Sequence, residues 1–478
     1  MARRFHIRSY GCQMNAHDSE KVANLLHHAG FERAANEPEA DLVVVNTCSI
    51  REKAEHRLYS DLGLLRLWKA ERPGRLIGVG GCVAQQEGDS LLRRYPQIDF
   101  AFGTHNVRWV PEMVAAADRG EREARFADDL SLARFDLPQR HPAYGSETPG
   151  RAWLTVMEGC DLFCSYCVVP LTRGREISRP ADAVLAEARE LAARGVRELT
   201  LLGQTVNAYG RHDLRRGRTA AAGTLAFGEL LRRLAEIPGI ERLRYTSPHP
   251  AFFDAALVAA HAELDELCPH VHMPVQSGSD RMLDAMRRRY SVRDYLEIVA
   301  ALRRARPGLA LTTDFIVGHP GETRADFEAT LALLREVGFV DSFSFKYSPR
   351  PGTASAALAE TVSPAEAQER LAELQSIQRD LTFAAHRARV GERAEVLVEG
   401  ASRRGAAGAA GVPLQGRDPQ HRVVNFRAPA DAEPAPGSFV QVEIVEATPH
   451  SLIGSLTGER LPVTRPRNPH EQGARPAA

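Results

Sequence analysis

Six of the seven cysteines in this 478-residue chain fall into two patterns. Cys160, Cys164 and Cys167 form a Cys-x3-Cys-x2-Cys run. Three thiolates on one loop can reach three corners of a [4Fe–4S] cubane and leave one iron open to another ligand, unlike the four-cysteine sets of electron-carrying ferredoxins. A zinc site with a remote fourth ligand, or three unrelated core thiols, are the competing readings. Cys12, Cys48 and Cys82 are separated by 36 and 34 residues, in SYGCQMN, NTCSIRE and GVGGCVA. Here the alternative is three buried cysteines, since free Cys is a commonly buried residue.

The elements that must carry these residues decide whether they meet. Apolar periodicity predicts strands at Arg4–Ser9, Asp41–Val45, Arg75–Val79 and Asp99–Phe102. Helices are predicted at Asn15–Ala29, Glu52–Leu67, Gln86–Arg94 and Val107–Arg119. This alternation implies a doubly wound parallel sheet. Cys12, Cys48 and Cys82 each follow one of its first three strands. The carboxyl ends of parallel strands share one edge, so the three thiols converge despite their distance in sequence. Gly11, Gly80 and Gly81 allow tight turns there.

Leu137–Gly150 (LPQRHPAYGSETPG) reads as a linker. Beyond it, strands at Trp153–Met157, Glu198–Leu202, Arg242–Thr246, His270–Val275, Ala310–Val317 and Ser342–Tyr347 alternate with helices. Six βα units suit a closed or partly open barrel with its functional residues on the loops after the strands. The Cys160 loop follows the first of them. A connecting helix is predicted over Pro364–Val390. Four short strands follow (Glu395–Val398, Arg422–Phe426, Ser438–Val445 and Ser451–Leu456), as in a small all-β barrel. Ala401–Gly411 reads as a flexible loop and 462–478 as a disordered tail. The expected fold class is therefore multidomain α/β: domains at 1–136, 151–384 and 385–461, with the linker at 137–150.

Composition excludes other classes. With 61 basic and 61 acidic residues, 44% hydrophobic and 26% charged, the chain is neither disordered nor fibrous, and its overall charge selects no partner. No apolar stretch approaches the ~18 residues of a membrane helix, and Met1–Tyr10 lacks a signal-peptide core. A cytoplasmic protein without membrane contact is expected. Its thiols there serve as metal or redox ligands rather than a disulfide framework.

MEGCDLFCSYCVVP (Met157–Pro170) resembles the cluster loop of radical S-adenosylmethionine enzymes, including Tyr166 before the last Cys. Both cysteine sets, with the β-rich end, resemble the methylthiotransferase family of those enzymes. VLVEG, GRDPQHRVVNF and GSFVQVEI within Ala385–Leu461 resemble a TRAM domain, an RNA-binding barrel. NTCSIREKA, GVGGCVAQ and VQSGSD are similar to the branch acting on N6-isopentenyladenosine beside the tRNA anticodon. Other branches act on N6-threonylcarbamoyladenosine or a ribosomal protein aspartate.

The resemblance implies two [4Fe–4S] clusters, each on three cysteines, and two equivalents of S-adenosylmethionine per turnover. It also implies a tRNA substrate, an external one-electron donor and a sulfur source, and a monomeric chain is expected. Cys160, Cys164 and Cys167 would serve catalysis and Cys12, Cys48 and Cys82 the auxiliary cluster. Tyr166, Gly203 and Gln204 would bind cofactor. A non-catalytic iron–sulfur RNA-binding sensor is the reading from another class.

Further residues have less distinctive patterns. Arg173, Arg175 and Arg179, just past the radical loop, could meet RNA phosphates or a cofactor carboxylate. Arg287–Arg289 ends a predicted helix and reads as structural. His319 stands where the family usually carries Phe. Cys268 reads as buried and inert, and Phe426 as core unless it lies exposed on the barrel to stack on a base.

Overall fold

The computed structural model describes residues 2–49, 52–129, 131–141, 149–215, 224–402 and 411–458. The tail expected at 462–478 and residues 403–410 of the expected loop lie outside the described residues. Two compact units emerge: 1–147 with 151–378, and 148–150 with 379–478.

The first unit begins with β1 (Arg4–Ser9), α1 (Gln13–His28), β2 (Glu32–Arg33), β3 (Leu42–Thr47), α2 (Glu52–Ala70) and β4 (Leu76–Gly81). There follow α3 (Cys82–Glu87), α4 (Ser90–Arg94), β5 (Phe100–Phe102), α5 (Val110–Asp118) and β6 (Glu123–Arg125). The strands form one parallel sheet in the order β2-β1-β3-β4-β5-β6. Its two faces follow from the apolar run of β3. Leu42 and Val44 pack with Phe5, Leu26, Phe100 and Met113, whereas Val43 and Val45 pack with Leu58, Leu62, Ile77 and Val79. A strand buried on both faces needs such a run. The edge strands β2 and β6 were not expected; their sequences, ER and EAR, carry no apolar signal.

Residues 137–141 do not stand free as a linker. Leu137 packs on the first of these cores, and Asn24 of α1 binds the Pro138 carbonyl and the His141 N–H. Residues 142–148 of that segment are outside the described residues.

Next come β7 (Arg151–Thr155), β8 (Met157–Glu158), α6 (Val169–Thr172), β9 (Ile177–Ser178), α7 (Ala181–Ala193), β10 (Glu198–Leu202), α8 (Arg211–Arg215), α9 (Phe227–Ala235), β11 (Arg242–Tyr245) and α10 (Ala255–Glu263). The remaining elements of this region are β12 (His270–His272), α11 (Asp280–Ala285), α12 (Val292–Ala305), β13 (Ala310–Val317), α13 (Arg324–Val337) and β14 (Asp341–Lys346). The six strands of the partial barrel lie in two parallel sheets, β11-β10-β7 and β12-β13-β14, joined by a single Leu243–Leu267 bridge. β12 ends at His272 rather than at Val275, since Pro274 has no N–H for a ladder. β8 and β9 pair antiparallel, Met157 with Ser178 and Glu158 with Ile177, and so pinch off the loop that carries Cys160, Cys164 and Cys167. Capping boxes Ser291/Asp294 and Thr323/Asp326 start α12 and α13.

A long helix, α14, runs from Pro364 to Arg387. The second unit holds β15 (Arg393–Ala401), β16 (Val412–Arg417), β17 (Val423–Ala428), β18 (Phe439–Ala447) and β19 (Leu452–Leu456), closed into a barrel in the order β15-β16-β17-β19-β18. The extra strand β16 (VPLQGR) was not expected, since its Pro and Gly argue against a strand in sequence. Phe426 points into the barrel core with Val396, Leu414 and Val442, so it offers no exposed ring for stacking on a base. Among the described residues no helix is long and apolar enough to cross a membrane.

Candidate active site

β1, β3 and β4 are neighbours, so their carboxyl ends bring Cys12, Cys48 and Cys82 to one edge of the sheet. Cys12 caps the start of α1, Cys48 follows β3, and Cys82 opens α3. Gly11 makes the approach possible: its φ is +107°, and a Cβ there would lie 2.2 Å from Cys48 Cβ. Asn15, one turn into α1, places its Oδ1 3.6 Å from Cys12 Sγ and 3.9 Å from Cys82 Sγ. Its amide nitrogen donates to the Thr47 carbonyl, and the Thr47 hydroxyl accepts from the N–H groups of Val83 and Ala84, both at 3.2 Å. A hydrogen bond with Cys48, together with the Arg173 guanidinium, holds the Cys12 thiol below its ordinary pKa despite burial. Burial pushes the Cys82 thiol up.

The second set sits on the loop pinched by β8 and β9. Gly159 (φ +81°) passes so close to the Arg175 carbonyl that a Cβ would fall 2.0 Å from its oxygen. The Gly159 N–H donates to Gln204 Oε1. Cys160 Sγ lies 3.1 Å from Thr205 Oγ1, and Arg288 Nη1 donates to Cys164 Sγ at 3.6 Å. Burial raises the Cys160 thiol, and it raises the Cys167 thiol to about 12. Soft thiols in sets of three suit iron–sulfur clusters, in which each thiolate binds a separate iron.

A cavity of about 160 Å³ is lined by Cys12, Cys82 and Ser49 on one side, and by Arg173, Gly203 and Gln204 on the other. Charged side chains tie α1 to the segments on either side of the Cys160 loop. Arg173 Nη2 reaches Asp18 Oδ2 at 2.6 Å and Asn15 Oδ1 at 3.2 Å. Glu158 lies between Lys21 Nζ at 2.9 Å and Arg134 Nη2 at 2.8 Å. Burial alone would raise the Glu158 carboxyl; Lys21, Arg134 and Arg173 outweigh it and hold that group well below the usual carboxylate range.

Three family descriptions match consecutive stretches of the chain: uncharacterized protein family UPF0004 over residues 4–103, the Radical SAM superfamily over 154–334, and the TRAM domain over 387–457. A tRNA-2-methylthio-N(6)-dimethylallyladenosine synthase of Geobacter metallireducens is 49% identical over 451 residues, covering 94% of this chain and 98% of that protein. The synthase of the same name from Nocardia farcinica is 43% identical over 479 residues, covering 99% and 93%. The chain belongs to the tRNA-2-methylthio-N(6)-dimethylallyladenosine synthase family. It is a radical S-adenosylmethionine enzyme, with the cofactor and the [4Fe–4S] cluster that this superfamily implies. A solved radical S-adenosylmethionine methyltransferase, TsrM from Kitasatospora setae, shares the fold, with TM-score 0.54 and 16% identity over 74% of each chain.

Other residues of this synthase-family chain are distributed as follows. Gly203 packs so tightly on Met157 that a Cβ would lie 2.6 Å from its Cγ, and Gln204 ties the next loop to Gly159. Tyr166 is half-buried near Arg288. Arg173 is only 3% exposed and turned inward. Arg179 binds the Thr155 carbonyl at 2.7 Å and Glu187 at 2.8 Å. Of the three arginines, Arg175 alone has an exposed side chain, paired with Asp161 and over the Phe163 ring.

Sequence reasoning missed Asn15, Asp18, Thr205 and the Lys21–Glu158–Arg134 chain. Asn15 stands three residues past Cys12, Glu158 two before Cys160 and Thr205 beside Gln204, but nothing in the sequence marks their partners. Arg288 was expected to serve a helix end; instead it is buried against Cys164. His319 is buried too, with Nε2 2.8 Å from Ser355 Oγ, which in turn donates to Ser165 Oγ in the cluster loop at 2.8 Å. A ring nitrogen there makes a tie that Phe could not.

Proposed function

We propose that this chain methylthiolates C2 of N6-isopentenyladenosine beside the anticodon of tRNA, giving the 2-methylthio derivative. The observation that carries the reading is the cavity shared by Cys12 and Cys82 with Gly203 and Gln204. A reaction that brings sulfur from the auxiliary set to a cofactor-bound radical needs those cysteines and the cofactor loop to face one space.

The adenine C2–H bond has no acidic proton and no leaving group, so acid–base catalysis has no handle on it. When bound, a cluster on Cys160, Cys164 and Cys167 supplies the electron that cleaves S-adenosylmethionine to methionine and a 5′-deoxyadenosyl radical, and a second on Cys12, Cys48 and Cys82 supplies the sulfur. The chain's own residues bind and exclude. Gly203 and Gln204 take the methionine end of the cofactor, and Tyr166 packs behind the cluster loop. Arg288 and Thr205 donate to the Cys164 and Cys160 sulfurs and fix their orientation. The pairs Arg173–Asp18 and Lys21–Glu158–Arg134 hold α1 against the segments that flank the radical loop. Arg175 and the C-terminal barrel meet RNA. Two equivalents of S-adenosylmethionine, an external electron donor and a sulfur source complete the reaction, by a monomeric chain in the cytoplasm.

The test is anaerobic reconstitution, reduction with dithionite, and incubation with S-adenosylmethionine and tRNA bearing N6-isopentenyladenosine. About eight irons per chain, 5′-deoxyadenosine and a 2-methylthio nucleoside by mass spectrometry are expected, and Cys164→Ala should abolish both products. Deoxyadenosine without modified tRNA would redirect the reading to N6-threonylcarbamoyladenosine or a protein aspartate. None from a fully loaded chain would leave an iron–sulfur sensor.

A further inference from the structure

The turn after α11 places two arginines where glycine is the favoured residue. The Arg288 N–H donates to the Leu283 carbonyl at 2.9 Å and the Arg287 N–H to the Asp284 carbonyl at 2.8 Å, which ends the helix in a Schellman motif. Arg287 fills its left-handed position with φ +57°, and Arg289 is left-handed again at +60°. A side chain with a Cβ is strained there, whereas Gly is not. The fold makes no use of these two side chains in return. Both are exposed, and among the described residues neither makes a hydrogen bond or an ion pair. Strained residues that serve nothing inside the fold are characteristic of sites that meet a ligand.

Arg288, between them, turns the other way. It is buried and donates to Cys164 Sγ at 3.6 Å and to the Pro274 carbonyl at 2.9 Å. The same turn braces the radical loop directly: the Ser165 N–H donates to the Met286 carbonyl at 3.1 Å, and the Ser165 hydroxyl to the Ala285 carbonyl at 2.8 Å. Two free guanidinium groups therefore stand on the outer side of a turn whose inner side holds Cys164. Most carboxylates nearby are engaged. Asp254 and Asp294 cap α10 and α12, Asp280 accepts from the Val292 N–H, and Glu297 pairs with Arg293. Asp284 is exposed, which leaves three arginines against one aspartate over residues 284–290.

We propose that Arg287 and Arg289 clamp the phosphates that flank the reacting nucleotide of the RNA substrate. The inference rests on the function proposed above and gives that substrate a contact surface on the first unit. A base brought to the cofactor held by the Cys160 loop carries its own phosphates with it, and these two cations stand on the turn that supports that loop. Guanidinium forks suit phosphate oxygens, and such contacts set register and orientation without reading sequence. Arg287 and Arg289 are positioning residues, since neither touches the reacting atoms.

The test measures binding of a fluorescent anticodon stem-loop bearing N6-isopentenyladenosine to the reconstituted full chain, at several salt concentrations. Arg287→Gly/Arg289→Gly should weaken binding about five- to thirtyfold. The slope of log affinity against log salt should shrink by about 1.4, for two phosphate contacts to a single strand. Because Gly suits both left-handed positions, this variant should melt at or above the temperature of the unsubstituted chain, with full iron content. A loss of affinity is then not a loss of fold. Arg287→Lys/Arg289→Lys keeps the charges and the backbone strain, and should bind between the two.

Arg304→Ala removes an exposed positive charge at the other end of α12 and should change affinity by less than about twofold. A loss there equal to that in the glycine variant would reduce the effect to overall charge and overturn the clamp. Unchanged affinity and salt slope in the glycine variant would overturn it too. So would unchanged RNA binding together with slower reduction of the iron by an acidic ferredoxin, which would give the surface to an electron carrier instead. A chain that binds the stem-loop through Arg287 and Arg289 yet does not methylthiolate it would leave the clamp standing and count against the proposed function.

Discussion

At the residue scale, the two cysteine sets depend on backbone approaches that only glycine permits. Gly11 is the sharpest case, because its φ is +107° and its neighbour is Cys48 itself. Gly11→Ala must push the turn away from Cys48, at a cost of about 2 kcal/mol or more. The expected outcome is a lower melting temperature and loss of the iron held by Cys12, Cys48 and Cys82. Iron held by Cys160, Cys164 and Cys167 should remain, so iron content should fall to about half. Iron analysis and the visible absorption of the reconstituted variant check this; full loading would refute it.

At the scale of elements, the segment Val275–Asp280 turns out to be a packing joint. Ser279 donates to Asp326 Oδ1 at 2.6 Å, the Gly278 N–H donates to Thr330 Oγ1 at 3.0 Å, and Arg281 pairs with Asp326. Asp326 is also the reciprocal partner in the capping box that starts α13. One carboxylate thus fixes α13 to the loop before α11. Asp326→Ala should destabilise the first unit by about 2–4 kcal/mol, through a lost cap and orphaned donors. Denaturant unfolding of the loaded protein would register the shift, while iron content stays unchanged because neither cysteine set touches this joint.

At the scale of the whole molecule, the first unit carries histidines buried in neutral form. Burial, aided by Arg306, pushes His261 down to about 3, and burial also lowers His17 and His249. An unfolded histidine titrates near 6.5, so below that pH the unfolded chain binds protons that the folded one refuses. Stability should therefore be full above about pH 6.5 and fall as the pH drops toward the folded values. For His261 alone the loss between pH 7 and pH 5 is about 2 kcal/mol. Unfolding curves at these two pH values should show the drop. His261→Gln, which can still bond the Tyr245 hydroxyl, should shrink it by about that amount.

Chemistry written in contiguous residues was readable from the sequence. Cys160-x3-Cys164-x2-Cys167 needs only a short loop to converge, and three strand-end cysteines converge in any parallel sheet that places their strands side by side. The β/α alternation was legible for the same reason: strands buried on both faces must be apolar throughout. Partnerships between distant segments were not legible. Nothing local in Arg173, Asp18, Glu158 or Lys21 distinguishes a buried staple from a solvated charge, because burial is a property of the packed unit. The edge strands β2 and β6 likewise gain their strand character from a neighbour's ladder. The sequence by itself determined which side chains could bind clusters and which strands would carry them. Tertiary structure decided that Cys12 and Cys82 share a cavity with Arg173, Gly203 and Gln204, since desolvation and charge pairing exist only once the segments have met.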